Sequence, residues 1–117
     1  MKEIIWVRSS KEDLSEFPED VRDEIGFALY EAQQGLKPQN VKPLTGISGG
    51  VMEVISDFDK STFRAVYAVK LGNYIYVLHC FQKKSKQGIA TPKQEIDLIK
   101  QRLKDAKQIE SERGKQK

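Results

Sequence analysis

The stretch from Val51 to Phe81 constrains the fold most. It reads "VMEVISDF", "TFRAVYAVKL" and "NYIYVLHCF", three runs dense in β-branched and aromatic residues. Such side chains fit the pleated, half-buried surface of a strand. Only "DKS" separates the first two runs, and Gly72-Asn73 parts the last two. A parallel pair needs a crossover of a dozen or more residues, so breaks this short predict antiparallel hairpins and a three-strand meander.

The flanking segments supply helices and one more strand. In "KEIIWVR", Lys2 to Arg8, Ile4 and Trp6 alternate with Ile5 and Val7, which predicts a strand with one face buried and the other partly covered. "SSKEDLSEF" reads as a turn or a short helical segment. "PEDVRDEIGFALYEAQQG" is the first clear helix, with Pro18, Glu19 and Asp20 suited to its start and Gly35 to its end. Its core face is Val21, Ile25, Ala28, Leu29 and Ala32. The polar "LKPQNVKPLTGISGG" is expected to be an ordered loop. In "TPKQEIDLIKQRLKDAKQIE", Thr91, Pro92 and Gln94 form a capping-box pattern, and Ile96, Ile99, Leu103, Ala106 and Ile109 make an apolar stripe. The expected class is α+β: a small antiparallel-rich sheet, an N-terminal strand plus the meander, with N-terminal and C-terminal helices packed on it. One domain is expected over 1–110, followed by a basic, disordered tail over 111–117.

Charge is unevenly spread. Residues 1–35 carry 4 basic and 9 acidic side chains, residues 36–88 carry 8 and 3, and residues 89–117 carry 8 and 5. The three parts are −5, +5 and +3, so a near-neutral total conceals a basic middle able to attract a polyanion. A lone cysteine cannot form an internal disulfide, no apolar run approaches membrane-spanning length, and the N-terminus lacks a signal-peptide pattern, so a cytoplasmic setting without membrane partners is expected.

Several residues stand out chemically. Arg64 shares a strand face with Val66, Ala68 and Lys70, where it can grip a phosphate with two hydrogen bonds or pair with Glu53 on the preceding strand. His79 is expected on the face of Ile75, Val77 and Phe81, as a packed side chain or as a general acid or base. Lys83, Lys84 and Lys86 leave the last strand, either as a solvated basic loop or as a clamp on an RNA backbone, with Lys42 and Lys70 as further phosphate-binding candidates. Cys80 reads as a small buried residue. Gly46, Gly49 and Gly50 make no phosphate loop, since no Gly-Lys-Ser/Thr follows. No metal-ligand cluster and no cofactor motif appear.

In their order, "VKPLTGISGGVMEV", "FRAVYAVKLGNYIYVLHCFQKKSKQG" and "TPKQEIDLIKQRL" resemble the phage-derived HigB-like branch of the RelE/ParE toxin superfamily. The shared pattern is "KPL-x-G", an acidic residue on a strand, "YR-x-x-Y", "F-x-KK" and a "TP" that opens the last helix, and it covers roughly residues 1–108. The resemblance implies a toxin of a type II toxin–antitoxin module that cuts mRNA, commonly on the ribosome. It implies neutralisation by a cognate antitoxin, often one with a helix-turn-helix DNA-binding domain. Arg64 matches the arginine that stabilises the scissile phosphate, Lys83 and Lys84 match the basic pair after the last sheet strand, and Glu53 matches an acidic position in a supporting role. The implied chemistry needs no metal: the substrate's 2′-OH attacks the adjacent phosphate, with Lys83, Lys84 or His79 as candidate proton acceptors. Two departures are visible. Phe63 replaces the tyrosine before the arginine, and no tyrosine follows the lysine pair, which leaves the general acid unassigned. A different outcome on the same fold is the ParE-like one, non-catalytic inhibition of DNA gyrase.

Overall fold

The computed structural model describes residues 1–47, 49–83 and 91–115. Its elements are β1 (Glu3–Trp6), α1 (Ser10–Ser15), α2 (Glu19–Gln33), β2 (Val41–Pro43), β3 (Val51–Phe58), β4 (Ser61–Leu71), β5 (Tyr74–Lys83) and α3 (Lys93–Lys115). The meander forms as the short breaks require. β3 pairs with β4 from Val51↔Ala68 to Phe58↔Ser61, and β4 pairs with β5, both antiparallel. At the β3–β4 turn Asp59 and Lys60 both hold positive φ, 47° and 67°, the backbone that matches a two-residue hairpin to the strand twist.

The sheet is wider than the sequence suggests, and it is mixed. Its order is β1-β5-β4-β3-β2, with β1 running parallel to β5 from Glu3↔Tyr74 to Trp6↔Val77. β2 lies in the segment expected to be a loop. Val41, Lys42 and Pro43 pair with Val54, Glu53 and Met52. A proline, which has no N–H to give, is tolerated there because β2 is an edge strand.

Helices cover both faces. On one face Val21, Ile25, Ala28, Leu29 and Ala32 of α2 pack against Phe63, Ala65, Tyr67, Ile75 and Val77. On the other, Ile99, Leu103 and Ala106 of α3 pack against Val66, Ala68, Tyr76, Leu78 and Phe81. The α2 stripe is the one the 3.6-residue spacing marks, and the helix ends as its glycine predicts. Gly35 takes φ +82°, Leu36 N–H donates to Glu31 C=O and Gly35 N–H to Ala32 C=O, a Schellman closure.

Three local expectations are corrected. Pro92, not Thr91, caps α3: its carbonyl accepts from Ile96 N–H, while the Thr91 hydroxyl is engaged elsewhere. The helix continues to Lys115, past the expected start of a disordered tail at 111. Its last turns are held by Tyr76 Oη donating to Glu110 at 2.7 Å and by the Arg113 guanidinium 4.7 Å over the Tyr74 ring. Finally, the β4–β5 register shifts between Val66↔His79 and Tyr67↔Val77, so Leu78 is an extra residue. A bulge of this kind breaks the strict alternation of a strand. Ile75 and Val77 point to α2, whereas His79 stacks on Phe81 on the α3 side, with ring centroids 5.0 Å apart. His79 is therefore not on the face of Ile75 and Val77.

Candidate functional site

The α3 face of the sheet carries charge at one end of its apolar core. Glu53 on β3 lies opposite Lys42 on β2 and Val66 on β4, and Val66 lies opposite His79 on β5. Arg64 sits two residues before Val66 on the same face. Glu53 and Arg64 are both buried, at 0% and 3% exposure. Ions this deep are costly unless paired and hydrogen-bonded. The pair meets that condition: Arg64 Nη1 is 3.3 Å from each Glu53 oxygen and donates at 3.2 Å to Thr91 Oγ1, which in turn donates to Glu53 Oε2 at 2.8 Å. Among the described residues Arg64 Nε is a buried donor without a partner. Thus the ion pair that the sequence permits does form, and Thr91 joins it to the start of α3.

Over this cluster opens a cleft of ≈ 390 Å³. Its lining includes Glu53 and Thr91, with Lys42 from β2 and Lys93, Ile96 and Lys100 from α3. The three cations converge because Lys42 is on the edge strand beside α3, and because positions 93, 96 and 100 share one helical face. The amino end of the long helix α3 adds partial positive charge at the same place. The cleft is therefore open, cationic and floored by a carboxylate that is already neutralised, a setting suited to an anionic chain.

The candidate residues separate in space. Lys42 lines the cleft. Lys83, opposite Thr62, is a diagonal neighbour of Arg64 across β4–β5, at the ~7–8 Å typical of that relation. Lys70 is six residues along β4 from Arg64, ~20 Å at the rise of a strand, and its chain lies over Gly50, where a Cβ would come within 2.8 Å of it. It is outside the cleft lining. Lys84 and Lys86 lie outside the described residues. Thr91, Lys93 and Lys100 join the site only in the fold: the sequence marks Thr91 as a helix cap and gives the two lysines no signal that sets them apart from the other charges of α3.

His79 belongs to a second network. Its Nε2 is 2.9 Å from Glu95 Oε2 and its Nδ1 is 3.1 Å from Arg102 Nη1. Arginine can only donate, so Nδ1 accepts and Nε2 carries the hydrogen given to Glu95. Arg102 also donates to Leu78 C=O and Ser9 Oγ, each at 3.1 Å. Both ring nitrogens are thereby used in tying α3 to β5 and to the start of α1. Cys80, on the α2 side, is buried, and that burial pushes its thiol up to about 12. Among the described residues no group of three or more His, Cys, Asp or Glu side chains is placed to hold a metal ion, and no helix is long and apolar enough to cross a membrane.

A five-stranded mixed sheet with helices on both faces and a basic cleft beside a buried arginine is an α+β domain consistent with the RelE-like fold. Residues 12–104 of the 117 match the family described as Phage derived protein Gp49-like (DUF891). The chain belongs to that family, whose members are toxins of toxin–antitoxin modules and so have a cognate antitoxin as partner. No curated protein matches the chain.

Proposed function

We propose that this toxin is an mRNA endoribonuclease of the HigB-like branch of the RelE/ParE superfamily, acting on messages held by the ribosome. The cleft carries the reading. Lys42, Lys93 and Lys100 stand around a groove sized for a ribose-phosphate segment, and Lys83 continues the positive charge along β5. In the reaction the substrate's 2′-oxygen forms a bond to phosphorus as the bond to the 5′-oxygen breaks. The products are a 2′,3′-cyclic phosphate and a 5′-hydroxyl. Fixed cations near the phosphate stabilise the charge that develops on its oxygens, an effect often worth 10²–10³-fold (roughly) in rate per well-placed donor. Arg64 acts here as a positioning residue: it neutralises Glu53 and, through Thr91, fixes the amino end of α3.

Two observations favour the gyrase-inhibitor reading instead. Arg64 is buried and both nitrogens of His79 are engaged, so neither side chain offers a proton-transfer group to the cleft. The two readings separate on induced expression with primer-extension mapping of a reporter mRNA. Growth arrest with in-frame cuts, both lost when Lys42, Lys93 and Lys100 are changed together to alanine, supports the nuclease. Arrest with intact mRNA and blocked DNA supercoiling sinks it in favour of gyrase.

A further inference from the structure

Among the described residues, the large apolar side chains most open to solvent include Met1, Phe27, Tyr30 and Leu36, and these gather around the outer face and carboxyl end of α2. Phe27 and Tyr30 are one turn apart, 63% and 53% exposed. Gln34 continues the same line, and its amide meets Met1 Sδ. Large apolar side chains left this open and drawn to one helix, rather than scattered singly over the surface, mark a site of association.

Gly26 says what kind of partner approaches. It lies in the interior of α2, exposed, directly beside Phe27 and Tyr30 on the helix surface. Glycine is the least favourable helix residue after proline. A Cβ built at Gly26 meets nothing within 4 Å, so no packing inside the molecule requires the glycine. The notch instead suits close approach of a second backbone, as where two helices cross. Charge narrows the choice further. α2 carries Glu19, Asp20, Asp23, Glu24 and Glu31 against Arg22 alone, a net of −4 (5 acidic, 1 basic), which repels nucleic acid and favours a basic segment.

We propose that the outer face of α2 is the docking surface for a basic amphipathic helix of the antitoxin. The helix crosses at Gly26, lays apolar residues on Phe27 and Tyr30, and sets Lys or Arg against Asp23 and Glu24. Beyond the carboxyl end of α2 a recess of ≈ 300 Å³, lined by Leu36, Met52, Val69 and Tyr67 together with Lys2 and Lys37, takes one apolar side chain of the partner, the basic residues of the partner lying further back along α2 against Asp23 and Glu24. α2 covers the sheet face opposite α3, so the docking surface lies away from the cationic cleft. The inference rests on membership of the toxin family and not on the nuclease reading.

The test is calorimetric titration of the full-length toxin with the antitoxin of its own module. Phe27→Ala and Tyr30→Ala are each expected to weaken binding about 30-fold, as buried aromatic anchors do. Gly26→Ala is expected to raise the melting temperature of the toxin alone while weakening antitoxin binding about tenfold, and the opposite signs exclude misfolding as the cause. Growth arrest by the unneutralised variants persists. Wild-type antitoxin affinity in all three variants overturns the proposal. So does a toxin homodimer, seen by sedimentation, that Phe27→Ala dissociates. Loss of nuclease activity in the cleft variants bears only on the nuclease reading, because antitoxin affinity is read without RNA.

Discussion

Replacing Arg64 by alanine tests stability before it tests catalysis. In the wild type, Glu53 is fully buried and its two oxygens share Arg64 Nη1 at 3.3 Å. After Arg64→Ala, Thr91 Oγ1 is the contact that remains to that carboxylate from this cluster, at 2.8 Å. Removing one member of a buried ion pair costs about 3–5 kcal/mol, because the other charge stays behind without compensation. For a domain of this size 1 kcal/mol moves the melting temperature by roughly 4 °C, so a fall of about 12–20 °C is expected. That is a large part of the ~5–15 kcal/mol that holds a domain folded. Thermal unfolding followed by far-UV circular dichroism reads it directly. Adding Glu53→Leu to an Arg64→Met background removes both charges and recovers most of the loss. If Arg64→Ala melts within ~3 °C of wild type, or the second change brings no recovery, the account of a mutually dependent buried pair is wrong. The consequence for function is practical: loss of toxicity in Arg64→Ala identifies a catalytic arginine only if the variant is shown to be folded.

Other outcomes follow from the same geometry. Changing Lys42, Lys93 and Lys100 together to alanine is expected to leave the melting temperature nearly unchanged and to flatten the salt dependence of single-stranded RNA binding by about 2 in log–log slope, roughly 0.7 per lost phosphate contact; an unchanged slope removes the cleft from RNA binding. Lys60→Gly relieves a lysine held at φ 67° in the β3–β4 turn and should stabilise the protein by about 1 kcal/mol in denaturant titration. Cys80, with its thiol pushed up to about 12 by burial, should resist alkylation at pH 8 until the protein unfolds, so fast modification under native conditions contradicts its placement. His79→Ala should lower stability by about 1–3 kcal/mol, through the hydrogen bonds it leaves unmade to Glu95 and Arg102, while mRNA cleavage survives; abolished cleavage in a folded variant would return His79 to the chemistry.

The meander and both long helices were legible because each rests on local pattern. β-branched runs with short breaks give the strands, and 3.6-residue stripes give the core faces of α2 and α3. What escaped depends on tertiary context. Three residues of β2 carry no periodic signal, and only pairing with β3 makes Val41–Pro43 a strand. The parallel seating of β1 on β5 leaves no trace in either segment alone. At His79 one extra residue in the strand moved the ring to the other face, since alternation predicts orientation only while the register is unbroken. Thr91 followed the local rule for a helix cap, but a buried carboxylate made the stronger claim on its hydroxyl. At the candidate site, Arg64, Glu53 and Lys42 could be named from the chain. Lys93 and Lys100 could not, because nothing short of the folded sheet sets the first turns of α3 across a cleft from Lys42.

The parallel pairing of β1 with β5 also orders events during synthesis. Glu3 leaves the ribosome's active centre 71 residues before Tyr74, its register partner (74 − 3 = 71). At roughly 5–20 residues per second the first strand waits about 4–14 s for the strand it completes. α3, which closes the other face and brings two of the cleft's three lysines, is made later still. A nascent chain therefore carries the acidic helix α2 well before the basic cleft exists, and the two charged faces of the molecule come into being in sequence rather than together.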